Sequence, residues 1–270
     1  MTTLTLQLQP QAPLEAAAIT PDIFLGKSER EIAGLPVVHG NETCLLGDFF
    51  KIEGSGSAEI IVNGDLTRVK NLASGMTQGH VVVNGGAGMH LGAAMRGGVI
   101  DAYGSVDAWA GAEMKGGKIH IRGDAGHGLG GAYRGSRHGM NRGLIIVEGN
   151  AGHEVGAAMR RGMILVTGGT GDFTGAFMIA GTIVVLGNLG IRAGAGMLRG
   201  TIVAFQMPEL LPTFRYDCTY QPDFLKLIFQ ELRTHGLSIS DGFATGCYKR
   251  YSGDFNRLGK GEILIYDQRK

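Results

Sequence analysis

LIIVEGNAGHEVGAAMRRG (144–162) runs without a break into MILVTGGTGDFTGAFMIAG (163–181) and TIVVLGNLGIRAGAGMLRG (182–200). The first turn glycine of each copy gives an anchor, and the same anchor recurs upstream: Gly64, Gly85, Gly104, Gly123, Gly149, Gly168 and Gly187. Successive gaps are 21, 19, 19, 26, 19 and 19 residues. A constant period near 20 marks a solenoid. Four and two residues before the anchors stand apolar pairs, from Ile60/Val62 through Ile145/Val147 to Ile183/Val185, with Ile202/Ala204 next. Alternation with β-branched residues means strand, not helix. Ten residues after the anchors comes a column of Met95, Met114, Tyr133, Met159, Met178 and Met197. Two residues before it runs an alanine-rich column.

Nineteen extended residues span roughly 63 Å, enough for one coil of three short strands joined by glycine bends. Coils then stack about 4.8 Å apart, with the Ile/Val, Ala and Met columns inside. Parallel crossovers are right-handed almost without exception. The expectation is an all-β solenoid, a right-handed parallel β-helix of about seven coils. Glycine suits the bends because positive φ costs it little.

Residues 1–57 form an expected N-terminal cap. Leu4, Leu6 and Leu8 suggest a short edge strand, Ser28–Glu31 a helix start with a capping box, and 45–54 a strand entering the first coil. The β-helix covers 58–206, and its 26-residue coil holds an extra loop at 136–142. Residues 207–270 form a C-terminal cap and partner-contacting tail, with a helix over 222–235 ending at Gly236.

The chain has 270 residues, 44% apolar, with a net charge of +1. Such balance argues against a nucleic-acid binder. No apolar run approaches a membrane span, and the N-terminus lacks a signal pattern. Cys44, Cys218 and Cys247 offer neither a disulfide framework nor a metal pattern, so a cytoplasmic protein is expected.

VTGGTGDFTG (166–175) looks like a dinucleotide loop, yet its glycines recur in the other copies and a strand follows, so it reads as structural. His127, His153 and Asp172 share one column position, but coil spacing puts the first and third about 9.6 Å apart, too far for one metal. A surface ladder or a contact with another subunit is expected there, and no metal ligand. Basic residues form a more informative stripe. Arg96, Lys115, Arg134 and Arg160 follow one another in one column, with Arg161 and Arg199 in the next. Residues 58–204 hold 13 Lys+Arg against 9 Asp+Glu. The stripe is either splayed into water or a surface for an anionic partner. Arg137, His138 and Arg142 on the extra loop are candidate contacts between subunits. No nucleophile–base pair or clustered carboxylate pair emerges, so no catalytic or cofactor-binding residue is assigned.

The glycine-rich copies resemble the repeat domain at the C-terminus of the glutamate synthase large subunit. PDIFLGKSEREIAGLPVVHGN (21–41), LGDFF (46–50) and CYKRYSGDFNRLGKGEIL (247–264) look like the C subunits of formylmethanofuran dehydrogenases. Within that family the chain is similar to the bacterial counterpart in the formyltransferase/hydrolase complex of methylotrophs. The resemblance implies a non-catalytic, β-helical framework in a one-carbon complex. That complex takes formyl from tetrahydromethanopterin to formate through a methanofuran-type carrier, methylofuran. Implied partners are a formyltransferase, an amidohydrolase-like hydrolase that carries the metal, and a dehydrogenase-B-like subunit. The glutamate-rich tail of the carrier is a further candidate for the stripe. The alternatives are the C subunit of an archaeal tungsten or molybdenum formylmethanofuran dehydrogenase, a glutamate-synthase-like domain beside an amidotransferase, and a stand-alone enzyme with its site on the solenoid face. Alone, the chain is expected to show no formyltransferase or formate-releasing activity.

Overall fold

The repeated apolar pairs build one mainly parallel sheet. The computed structural model describes residues 1–237 and 239–268. Its larger sheet has thirteen strands. Ten of them run parallel in an unbroken ladder: Thr2–Leu6, Glu59–Asn63, His80–Asn84, Val99–Ala102, Lys115–Ile121, Arg142–Val147, Met163–Val166, Thr182–Val185, Arg199–Ala204 and Lys260–Tyr266. Register shifts once, between Lys115 and Lys118, and is kept from Leu144 onward, so Ile145, Ile164, Ile183, Ile202 and Ile263 lie side by side. All five are fully buried. A side chain of this size gains about 1.5–3 kcal/mol on burial.

Each coil after the first holds one strand, not the expected three; the first adds the two-residue strand Val69–Lys70, which pairs with Leu14–Glu15 in a second, four-stranded sheet. The return side is a column of single bridges, Leu66, Ala87, Val106, Ala125, Ala151 and Thr170, followed by a turn. Hydrogen bonds still pass from coil to coil there, as from the Gly175 N–H to the Val155 carbonyl (2.7 Å). The segments are too short and too often left-handed to count as strands. Two turn positions carry ordinary side chains at positive φ: Trp109 (66°), Glu154 (61°) and Phe173 (62°) in one, Glu113 (54°), Ala158 (54°) and Phe177 (55°) in the other. Bends are therefore not reserved for glycine. Between them, where backbone meets the core, stands Ala73 in the first coil (φ 54°) and glycine in each later one, as at Gly92, Gly111, Gly130, Gly156, Gly175 and Gly194. Gly156 has φ +63°, and a Cβ on it would stand 2.6 Å from Ile183 Cδ1.

The methionine column is fully buried, with one substitution: Met140 takes the place expected for Tyr133. The methyls of Met114, Met140 and Met159 sit in turn against Gly143, Gly162 and Gly181. The seven extra residues therefore fall at 133–139, not 136–142. Burying an unbranched apolar side chain inside and leaving the phenol at the surface is the lower-energy choice.

The stack also extends beyond its expected ends. Thr2–Leu6 is an interior strand, parallel to Glu59–Asn63 and antiparallel to Phe50–Glu53, so it is no edge strand. Residues 45–54 split into a helix, Leu46–Phe49, and that antiparallel strand. Ser28 and Glu31 form the expected capping box. At the other end Lys260–Tyr266 is the next parallel strand after Arg199–Ala204. It is reached through Arg215–Tyr220, the helix Phe224–Thr234 and Tyr248–Gly253. That helix lies on the outer face of the sheet. Its Leu225, Phe229 and Leu232 bury Ile146, Leu165, Val184 and Val203. No helix among the described residues is long and apolar enough to cross a membrane.

Candidate functional site

The turn after each methionine points its next residue outward. Hydrogen bonds from Arg160 to Met140, Ile179 to Met159 and Leu198 to Met178 (2.7–2.8 Å) stack these residues in one column. Below them come Asn141, bonded to Met114, then Lys115, bonded to Met95, and Arg96, bonded to Met76. Asn141 thus stands where Arg134 was expected, because the insertion moves Arg134 onto the loop. Arg142, expected on that loop, returns to the strand edge. The stripe is therefore Arg96 and Lys115, then a neutral step, then a cluster. In the cluster Arg160, Arg161 and Arg199 surround Ile179, Ala180, Leu198 and Leu258 in a concavity of about 360 Å³.

Leu258 comes from the turn between the last two strands, and no sequence pattern pointed to it. None of Arg96, Lys115, Arg134, Arg137, Arg142, Arg160, Arg161 and Arg199 makes an ion pair among the described residues. The concavity thus offers three uncompensated guanidinium groups around an apolar floor. Guanidinium forks match carboxylates in geometry.

The histidine column is a ladder. The His153 N–H donates to His127 Nδ1 (2.9 Å), and the Asp172 N–H to His153 Nδ1 (2.8 Å). The rings stack at 4.9 Å. With each Nδ1 lone pair engaged by backbone, the column does not fit a metal. Among the described residues no group of three His, Cys, Asp or Glu could hold one.

Other polar side chains gather on the outer face. Buried His120 meets Glu148 at 2.7 Å, and Asp101 links it to His80. Burial pushes the His120 imidazole below its usual range; the Arg122 charge adds to this and Glu148 opposes it. At the opposite corner Tyr133 anchors the inserted loop: its phenol lies 2.8 Å from His90 Nδ1 and its ring packs on Trp109 at 5.2 Å.

A solved structure, that of the formyltransferase/hydrolase complex (FhcABCD) from Methylorubrum extorquens in complex with methylofuran, contains a chain of this shape. The TM-score is 0.92 at 37% identity, covering 98% of this chain and 100% of that one. The chain belongs to the C-subunit family of formyltransferase/hydrolase complexes and formylmethanofuran dehydrogenases. The C subunit of the tungsten-containing formylmethanofuran dehydrogenase 2 of Methanothermobacter thermautotrophicus is 43% identical over 95 residues. The C subunit of the molybdenum-containing formylmethanofuran dehydrogenase 1 of Methanosarcina barkeri is 41% identical over 83 residues. These matches span about a third of the length of either curated relative, 35% and 28%. No protein-family model matches the chain.

The stretches that resemble C subunits serve the two ends of the stack. Phe24, Leu46, Phe49 and Phe50 fill the first end, and Asp22 accepts the Thr77 N–H at 2.8 Å. Near the other end the Asp254 carboxylate accepts N–H bonds from Gly196 (2.9 Å) and Asn256 (2.8 Å). Burial raises the Asp254 pKa, but these bonds, with the Thr213 hydroxyl and the Arg257 charge, together outweigh it and hold the carboxyl below its ordinary range. In this chain these residues are thus engaged in packing and hydrogen bonds at the two ends of the stack.

Proposed function

We propose that this chain is the framework subunit of a one-carbon formyltransferase/hydrolase complex, and that it brings no reactive group to the reaction. The observation that carries the reading is the likeness over full length, tail included, to a chain of such a complex. A likeness to glutamate synthase would cover the repeats alone. In this reading formyl leaves tetrahydromethanopterin for a methanofuran-type carrier and is released as formate. Both steps belong to the formyltransferase and the metal-dependent, amidohydrolase-like subunit, beside a dehydrogenase-B-like partner. The chain itself is a right-handed parallel β-helix of about seven coils over 58–206, with 1–57 and 207–270 each adding one parallel strand and a cap. It works in the cytoplasm, in keeping with its three free cysteines.

The surface we assign to an anionic partner is the cluster of Arg160, Arg161 and Arg199 with Arg96 and Lys115 along the same edge. An acidic face of a sister subunit or the polyglutamate tail of the carrier would neutralise it. Arg137, His138 and Arg142 are proposed contacts between subunits. Co-expression with the partner subunits tests this. Arg160→Glu with Arg199→Glu should leave the fold intact, lower the yield of assembled complex or its affinity for carrier, and reduce the salt dependence of that binding. Unchanged assembly, carrier affinity and salt dependence would leave the cluster as solvated surface. The higher local identity to tungsten and molybdenum dehydrogenase subunits favours a second reading, in which the complex is of the archaeal type. Metal analysis of the purified complex separates the two.

A further inference from the structure

Phe177 is 58% exposed. Its φ is +55°, a conformation that costs an ordinary side chain roughly 1–2 kcal/mol. The same turn position holds Ala94 and Ala158 in other coils, also at positive φ. Coil closure therefore does not require a phenylalanine here. The ring lies over Gly196 of the next coil but joins neither core cluster, and it leaves apolar surface in water.

Beside it lies a groove of about 380 Å³, walled by Tyr133, Phe173 and Phe177 and floored by Ala158 and Ala176. The inserted loop makes the near wall, held down by Tyr133 on His90 and Trp109. Arg134 of the loop and Glu154 stand on the rim. Arg134, Arg137 and His138 are exposed and lack an ion pair among the described residues, so positive charge dominates the loop side of the groove.

We propose that this groove receives a segment of another subunit that carries an aromatic or long aliphatic side chain next to a carboxylate. The apolar side chain seats between Phe173, Phe177 and Tyr133, and the carboxylate meets Arg134. Glu154, on the opposite rim, accepts a backbone N–H of the incoming segment. Aromatic pockets with a neighbouring guanidinium concentrate binding energy in this way. The insertion then explains itself: it adds the wall and the charge that a regular coil lacks. This inference rests on the reading of the chain as a subunit of a complex and adds where one partner docks and what that partner must present.

The test uses the assembled complex with a photo-reactive benzoylphenylalanine at position 177. Irradiation should cross-link this chain to another subunit, at a stretch holding an aromatic or long aliphatic residue beside Asp or Glu. Phe177→Ala restores the residue that Ala94 and Ala158 carry, so it should keep the melting temperature of the isolated chain. In mass photometry on dilution it should weaken association at least about tenfold. A cross-link to a second copy of this chain, a cross-linked stretch without a carboxylate, absence of any cross-link between subunits, or undiminished association of Phe177→Ala would each overturn the proposal. If any of these occurs while the chain still co-purifies with other subunits, the docking site falls and the subunit reading stands. If the chain purifies without other subunits, both fall.

Discussion

The Asp254 carboxylate accepts the Gly196 N–H at 2.9 Å, across 58 residues of chain. This bond ties the turn before the last strand to the last regular coil. The strand Lys260–Tyr266 then pairs with Arg199–Ala204 in continuing register. A bond to a charged acceptor is worth about 1.5–3 kcal/mol, so Asp254→Ala should lower stability by about that amount in urea unfolding. The folded carboxyl is held below its ordinary value, so its contribution is present above pH about 4 and is lost as pH falls through the folded value. Acid titration of stability should show this loss in the parent and its absence in Asp254→Ala.

Burial lowers the pKa of His120 and of His90; Arg122 adds to the first shift and Lys70 to the second. A base whose folded pKa is depressed stabilises the fold above its unfolded pKa, about 6.5, and loses that contribution as pH falls through the folded value. Melting temperature should therefore decline on acidification below about pH 6.5. His120→Gln should flatten part of that decline. An unchanged profile would mean that His120 is not the group responsible.

Gly156 and Ala158 share a turn and a positive φ, at +63° and +54°, but only Gly156 faces the isoleucine column. Gly156→Ala forces a methyl into contact with Ile183 and should cost about 2–4 kcal/mol, combining strain and overpacking. Ala158→Gly relieves the left-handed strain and should be neutral or stabilising by up to about 1 kcal/mol. Paired urea denaturation curves distinguish a turn that needs glycine for shape alone from one that needs it for space.

Met140 is fully buried, while Tyr133 is partly exposed on the loop. Met140→Ala should destabilise the fold by about 2–5 kcal/mol. Tyr133→Ala should cost less globally and instead expose the loop, read as faster proteolysis within 133–139. The opposite ranking would put the insertion at the register first expected.

The outer face of the sheet was written in the chain but not in the period. From Leu144 onward the strands read LIIV, MILV, TIVV and TIVA, apolar on both faces, whereas VIDA and KIHI before them alternate. Unbroken apolar runs mean a strand covered on both sides, and the helix Phe224–Thr234 is the cover. Phe177 left a similar trace, as a large apolar residue in a column where other coils carry alanine. Leu258 left none, since its place beside Arg199 arises only when the last strand joins the sheet.

The stack, the burial of the Ile and Met columns, the capping box at Ser28 and the position of the helix over Phe224–Thr234 were all legible in the order of residues. Those features follow from residues repeated at a fixed offset or from signals within a few positions, where local geometry leaves one solution. Long-range packing settled the rest: Met140 displaces Tyr133, Asn141 interrupts the cations, Arg160, Arg161 and Arg199 share an apolar floor with Leu258, and residues 260–266 extend the ladder. Each of those is a competition between alternatives of equal local merit. The winner is set by which arrangement buries more apolar surface and pairs more backbone across distant parts of the chain.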